Sequence, residues 1–407
     1  VPIAKYQREN MGKAKITSKN KDTICTFPWE MYSIDTGFGW YRSCPRIPYQ
    51  KLEDLDFHNH GKIVDLRQGL RDGVKHDLCK DCWYAEDNGA KSYKQVLKTN
   101  YAYKNSDQDY VAHPRILEVK FSNLCNLRCI FCSSKCSSLW EDEQPITEDM
   151  LGSKKGAEVN TALLKYINEN YKNLEMFQLF GGEPVLHKEF NDIFDIILKK
   201  PESDGQKEIS FSTNLYYNDT YRKKFEDNIK GCLDKGHKIY MRMSIDGVYN
   251  QGKYLRQGID WSVFEKNLDS FMDKFHDWPN FGRLRCNIAL NATNIMYLDT
   301  IMHYLNDRGL DNVEPHYNYV SNPKYFYVQT YGTRLQQAID IIKSQDYRIY
   351  DKYKTHVLDL LGSMVHLEPQ TDVIEQGKDW LNTYDIKTNQ NFLEVFPLNR
   401  YMFDDRL

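Results

Sequence analysis

Between residues 115 and about 320 the chain alternates strand-like apolar runs with longer runs whose apolar positions recur at helical spacing. The pattern predicts strands at 115–121, 175–180, 207–213, 238–244, 283–290 and 312–319. It predicts helices near 159–171, 187–199, 219–235, 260–275 and 294–308. In the second of these, Phe190, Ile193, Phe194 and Ile197 stand at i, i+3, i+4 and i+7, one stripe packed on a sheet. Such alternation specifies an α/β fold with a parallel sheet under helices. Six units make a partial (β/α)6 barrel, with its active site at the carboxyl ends of the strands. Residues 321–407 are helical in pattern, with helices expected at 332–344 and 349–363 and an aromatic tail around Phe396 and Tyr401. Capping the barrel, covering the N-terminal residues and dimerising are all open to that segment. Residues 1–24 are a polar, Lys-rich lead-in, and 91–114 a polar, Tyr-rich linker. The expected organisation is a Cys-rich module with its linker (1–110), the barrel (111–320) and a helical C-terminal segment (321–407).

Composition narrows the function. A formal charge of −3 over 407 residues argues against general nucleic-acid binding driven by phosphate neutralisation. No run approaches the length of apolar chain that spans a membrane, and the N-terminus shows no signal-peptide core, so a soluble, cytoplasmic protein with no membrane partner is expected. Ten cysteines in such a chain point to metal or redox chemistry rather than a disulfide framework. Seven fall in two groups, and Cys136, Cys232 and Cys286 are left over.

The first group to consider is Cys125-Asn126-Leu127-Arg128-Cys129-Ile130-Phe131-Cys132, a C-x3-C-x2-C run directly after the strand at 115–121. Three thiolates on one loop can hold three irons of a [4Fe-4S] cluster, and a fourth iron without a protein ligand is an open Lewis-acid position. A zinc loop is the bland alternative, and Cys136 would complete four ligands for it. The second group, Cys25, Cys44, Cys79 and Cys82, combines a widely spaced pair with a C-x2-C knuckle. Four cysteines can close a tetrahedral zinc or ligate a cluster fully, and by itself this set favours zinc.

Further candidates end the predicted strands. Gly181-Gly182-Glu183-Pro184 follows the second strand; glycines admit a ligand close to the backbone, and a carboxylate suits an ammonium group, although a plain strand-to-helix turn would also use them. Ser212 and Asn214 close the third strand with hydrogen-bonding groups, or simply with a turn. Ser244 ends the fourth strand, and Arg256 follows with a guanidinium able to fork onto a carboxylate. Asn291 and Asn294 follow the fifth. His316 and Asn318 on the last strand, with Cys136, are candidate substrate contacts or hydrogen donors, against the reading that a strand histidine fills the core.

The cysteine loop after a first strand, joined to the Gly-Gly-Glu-Pro run after a second, resembles the radical S-adenosylmethionine (SAM) superfamily. The resemblance implies that Cys125, Cys129 and Cys132 hold a [4Fe-4S] cluster whose open iron chelates SAM. It implies cofactor contacts from Phe131, Gly181, Gly182, Glu183, Pro184, Ser212, Asn214, Ser244, Arg256 and Asn291. Reductive cleavage of SAM would give a 5′-deoxyadenosyl radical that abstracts a substrate hydrogen, with electrons from a low-potential flavodoxin- or ferredoxin-like donor. The Cys25-x13-Gly39-x4-Cys44 opening and Cys79-x2-Cys82 resemble the first half of a SPASM module, shared with the shorter twitch domain. On that reading they hold an auxiliary [4Fe-4S] cluster. Two departures stand out: no cysteine lies between Trp83 and Arg115, and the module precedes the barrel instead of following it. The expected reaction is oxidative modification of a peptide or small molecule, a peptide being preferred; the 24 N-terminal residues are too short for a precursor-recognition domain. Competing readings are a redox-neutral epimerase or isomerase with a structural N-terminal metal site, a molybdenum-cofactor-type cyclase, and a non-catalytic zinc-stabilised binding module. The cyclase would use three cysteines at its second cluster, whereas four are offered here.

Overall fold

The structure, a computed structural model, describes residues 21–55, 60–100, 114–310, 313–346 and 351–403. Most of the expected lead-in and of the linker therefore lies outside the described residues. In chain order the strands are β1 (Met31–Asp35), β2 (Trp40–Arg42), β3 (Gln50–Lys51), β4 (Ile116–Lys120), β5 (Arg128–Cys129) and β6 (Met176–Phe180), followed by β7 (Glu208–Thr213), β8 (Lys238–Ser244), β9 (Arg256–Gln257), β10 (Phe281–Leu290) and β11 (Glu314–Tyr319). The chain forms two compact units. One comprises Val1–Asn123, Ile146–Phe211 and Asp227–Ile239; the other comprises Leu124–Pro145, Ser212–Glu226 and Tyr240–Leu407.

In the first unit the strand order is β3-β2-β1-β4-β6-β7, with β1, β4, β6 and β7 parallel and β2 and β3 added as an antiparallel meander. Leu117, Val119, Phe177, Leu179, Ile209 and Phe211 on one face are fully buried. They meet helices: Phe190 of helix Lys188–Lys199 stands edge-on to Phe211 at 5.9 Å, and Tyr171 stacks on Phe177 at 6.4 Å. The opposite face is polar. Ser33, Glu118, Gln178 and Ser210 lie side by side in register, and Glu118 accepts from the Ser33 hydroxyl at 2.6 Å and from Arg42 at 3.1 Å. Helices cover one face of this sheet, and the polar side chains stand on the other.

The expected α/β class stands, with a parallel sheet core consistent with a partial barrel. β1 was not anticipated. All five of its residues are buried, so it carries no polar alternation to betray it, and the neighbour that makes it a strand is β4, 85 positions on. The expected helices recur as Ala157–Asn170, Lys188–Lys199, Asp219–Asp234, Trp261–Phe275 and Leu298–Asp307. The last starts later than the pattern suggests because Asn294 opens a separate short turn, Ile295–Tyr297.

In the second unit β8, β10 and β11 adjoin in that order, and β10 pairs parallel with β11. The C-terminal segment contains Leu335–Ser344 and Asp351–Gly362, as expected, and a further helix, Thr371–Thr388. That helix lies on helix Tyr249–Leu255: Tyr254 donates to Asp385 at 2.7 Å, and Tyr384 donates to the Tyr254 carbonyl at 3.1 Å. The aromatic tail closes over the turn after β10, where Tyr401 donates to the Ala292 carbonyl at 2.7 Å and Asn399 to that of Thr293 at 2.6 Å. Of the three roles open to this segment, covering the strand end in its own unit is the one the packing exhibits. No described helix is long and apolar enough to cross a membrane.

Candidate active site

The C-x3-C-x2-C loop belongs to the second unit and is pinned from both sides. β5, which contains Cys129, pairs antiparallel with β9, and the Ile130 amide donates to the Leu255 carbonyl at 3.0 Å. Trp140 folds back so that its indole N–H reaches the Cys129 carbonyl at 3.1 Å, and Ser137 donates to the Leu127 carbonyl at 2.7 Å. Leu127 and Ile130 anchor the loop in the core, so Cys129 is buried while Cys125 and Cys132 are half-exposed. Phe131 is half-buried, and Cys136 is exposed on the turn that follows. The Cys132 thiol, hydrogen-bonded to Cys129, holds the Cys129 sulfur below the ordinary thiol range, with the Arg256 guanidinium adding to this against burial.

Arg256 sits directly opposite Cys129 in the two-stranded ribbon. Its Nε donates to Asp246 at 2.8 Å in a buried ion pair. Burial works against its charge, but Asp246 and then the Cys129 and Cys132 sulfurs more than restore it. Asp246 also accepts from the Ala289 amide at 2.6 Å, and the Asn294 amide donates to its backbone carbonyl at 3.1 Å. Periodicity gave no reason to single out Asp246, which stands two positions after Ser244. Asn214 donates to Asn126 at 3.0 Å and approaches the Cys125 sulfur at 4.0 Å, while its carbonyl oxygen accepts from the Tyr216 amide. Asn126 is thus a second residue that sequence reasoning passed over. Ser212 and Ser244 lie half-buried at the ends of β7 and β8. Asn291 is fully buried and spends both ends of its amide on its own turn, accepting from the Thr293 amide and donating to the Ala289 carbonyl. On β11, His316 and Asn318 are exposed, and Asn318 donates to Asn287 at 2.7 Å.

The Gly-Gly-Glu-Pro run belongs to the first unit, where it leaves β6. Gly181 has φ +157, and a Cβ there would lie 3.2 Å from the Ser122 carbonyl oxygen, so the residue is glycine because the backbones approach so closely. The Gly182 amide donates to that same carbonyl at 2.8 Å. Glu183 is fully buried and caps the short turn Pro184–Leu186 by accepting from the Val185 amide at 3.2 Å; Pro184 is buried at its first position.

Residues 119–314 match the Radical SAM superfamily. This stretch is a radical SAM enzyme domain. The GTP 3′,8-cyclase of Nautilia profundicola (strain ATCC BAA-1463 / DSM 18972 / AmH) is 24% identical over 212 residues, covering 43% of this chain and 62% of the relative. The chain thus spans less than two thirds of that relative's length. Among solved structures, native anSMEcpe with bound AdoMet is 16% identical with a TM-score of 0.40, covering 58% of this chain and 60% of the other. SuiB of Streptococcus suis bound to the precursor peptide SuiA is 11% identical with a TM-score of 0.35, covering 91% of this chain and 74% of the other.

A radical SAM domain implies a [4Fe-4S] cluster and SAM, and the cysteine loop fits the cluster: three soft donors on a pinned loop beside a buried cation. The first unit holds a second donor set. Cys25, Cys44, Cys79 and Cys82 line one pocket with Trp83, Tyr93, Arg46 and Lys94. Cys25 precedes helix Phe27–Glu30, Cys44 follows β2, and Cys79 and Cys82 open helix Lys80–Asp87, so three distant pieces of chain meet. Burial, with mutual repulsion between the sulfurs, pushes the Cys79 thiol up to about 12; burial likewise pushes Cys44 up to about 11. Four such thiolates become favourable only around a cationic centre, since Lys94 is already paired with Glu86 at 3.0 Å. Four cysteines of this kind can close a tetrahedral zinc or ligate a four-iron cluster.

Proposed function

We propose that the chain cleaves SAM reductively, abstracts a hydrogen from a peptide or small-molecule substrate, and completes a net oxidation with an auxiliary [4Fe-4S] centre at Cys25, Cys44, Cys79 and Cys82. A cluster held by Cys125, Cys129 and Cys132 would supply the electron that splits bound SAM and so provide a hydrogen-abstracting radical. A centre held by Cys25, Cys44, Cys79 and Cys82 would accept the second electron of the net oxidation, the proton passing to solvent. Cys125, Cys129 and Cys132 are the cluster ligands, and a low-potential flavodoxin- or ferredoxin-like protein is the donor. Gly181, Gly182, Glu183 and Pro184 take the SAM ammonium region, and Ser212, Asn214, Ser244 and Arg256 its polar remainder, with Phe131 on the adenine side and Asn291 shaping the turn after β10. Leu127, Ile130 and Trp140 keep water from Cys129. A peptide remains the preferred substrate.

The observation that carries this reading is the meeting of all four N-terminal cysteines in one pocket of a chain that also contains a radical SAM domain. The test is iron, sulfide and zinc per chain after anaerobic reconstitution, for the wild type and the Cys25→Ala/Cys44→Ala variant. About eight irons falling to about four is the expected result. Four irons in both, with zinc in the wild type, would make the N-terminal site structural and return the redox-neutral epimerase or isomerase reading. A wild type without iron would remove the enzyme reading.

A further inference from the structure

We infer that Asp246 is a positioning residue that holds the Arg256 guanidinium against the Cys129 and Cys132 thiolates, and that this fixed cation raises the reduction potential of the cluster they ligate. The inference rests on the reading of the cysteine loop as a cluster site. Cys129 and Arg256 are partners in the β5–β9 ribbon, and opposite residues of an antiparallel pair put their side chains on one face, with Cβ atoms about 4.5–5.5 Å apart. The Arg256 side chain is 9% exposed and that of Asp246 1%, so little solvent lies between this charge and the sulfurs. Asp246 grips the guanidinium by Nε alone, and the terminal nitrogens make no hydrogen bond to a described residue. Asp246 is itself fixed by the Ala289 amide, at the end of β10, so the grip is rigid.

A buried ion pair is poor as a source of stability, because desolvating both charges costs about what their attraction returns. Beside an anionic cluster, the same pair has a use. Reduction adds a negative charge, and a nearby cation that water does not screen favours the reduced state. A guanidinium serving only the SAM carboxylate would act only when SAM is bound. The effect inferred here exists without it.

The experiment is a reductive titration of the reconstituted full chain without SAM, followed by electron paramagnetic resonance. The signal of this cluster is assigned beforehand by its change when SAM is added. Arg256→Gln lowers the midpoint potential, and Arg256→Lys, which keeps the charge, recovers part of the shift. Asp246→Ala also lowers it, since nothing then accepts from Nε and the guanidinium is released. If Asp246 acted as a bare charge, its neutralisation would raise the potential, and that result overturns the positioning role. Weaker SAM binding with potentials equal to wild type makes Arg256 a SAM ligand only and overturns the inference. Iron content per chain keeps the cases apart. A wild type that loads no iron refutes the cluster reading and this inference with it, whereas a loaded wild type with unmoved variants refutes this inference alone.

Discussion

Trp140 offers the sharpest link between the packing of the cysteine loop and what the loop must do. It is buried, and its indole N–H is held by the Cys129 carbonyl at 3.1 Å while Arg128 lies over the ring at 4.2 Å. Trp140→Phe keeps an aromatic face for Arg128 and deletes the donor. The Cys129 carbonyl then keeps only the Cys132 amide, at 3.0 Å. Losing one net hydrogen bond costs about 0.5–1.5 kcal/mol. Because about 1.4 kcal/mol is tenfold in an equilibrium constant, the population of opened loop rises about 2- to 13-fold. The assay is the rate at which a chelator removes iron from the anaerobic reconstituted protein, read by absorbance well below the melting temperature. Release through loop opening accelerates in proportion. Leu139→Ala, at an exposed side chain beside Trp140, is the control: it retains the indole hydrogen bond and the Arg128 contacts, so its release rate stays near that of the wild type. A Trp140→Phe protein that melts lower but releases iron at the wild-type rate would refute the reasoning, since the bond would then support the fold and not the loop.

Three further outcomes are expected. Gly252→Ala puts a Cβ 2.6 Å from the Trp261 ring and 2.9 Å from the Gly247 carbonyl oxygen, and overpacking of this kind costs about 1–3 kcal/mol, visible as a lower thermal midpoint. Tyr254→Phe removes the 2.7 Å hydrogen bond to Asp385 that ties helix Thr371–Thr388 to the helix leading into β9; urea unfolding should register a loss of about 1.5–3 kcal/mol, and an unchanged midpoint would show the tie to be idle. His237 is neutral in the fold: burial first, then Lys207 and Lys235, lower its pKa to about 4, and its Nδ1 accepts from the Lys207 amide at 3.1 Å. With the folded value below the unfolded value of about 6.5, its contribution is complete above pH 6.5 and is lost as pH falls toward 4. His237→Gln should flatten the stability profile in that window, and an equal slope in both proteins would count against it.

Much of the fold was legible because its signals are local. Phe190, Ile193, Phe194 and Ile197 form the buried stripe of helix Lys188–Lys199, as their spacing requires. Strands β4, β6, β7, β8, β10 and β11 fell where apolar runs were bounded by turns, whereas the two-residue β5 and β9 did not announce themselves, and the cysteine loop and the Gly-Gly-Glu-Pro run sit after β4 and β6. Helix Thr371–Thr388 was less visible since its buried positions are Ile374, Gly377, Leu381 and Tyr384, and a glycine in the stripe dilutes the period.

The sequence by itself determined the α/β alternation, the radical SAM signature and the two sets of cysteines, because periodicity and short motifs depend on neighbours within a few positions. Tertiary structure alone decided which distant pieces meet. β1 became a strand of the parallel sheet only through pairing with β4, and Cys25 and Cys44 reached Cys79 and Cys82 only through folding of the segments between them. Asp246 acquired its partner in the same way, ten positions away in the chain, when β9 placed Arg256 opposite Cys129. Such meetings are set by sheet register and close packing across long loops, and no local pattern of residues encodes them.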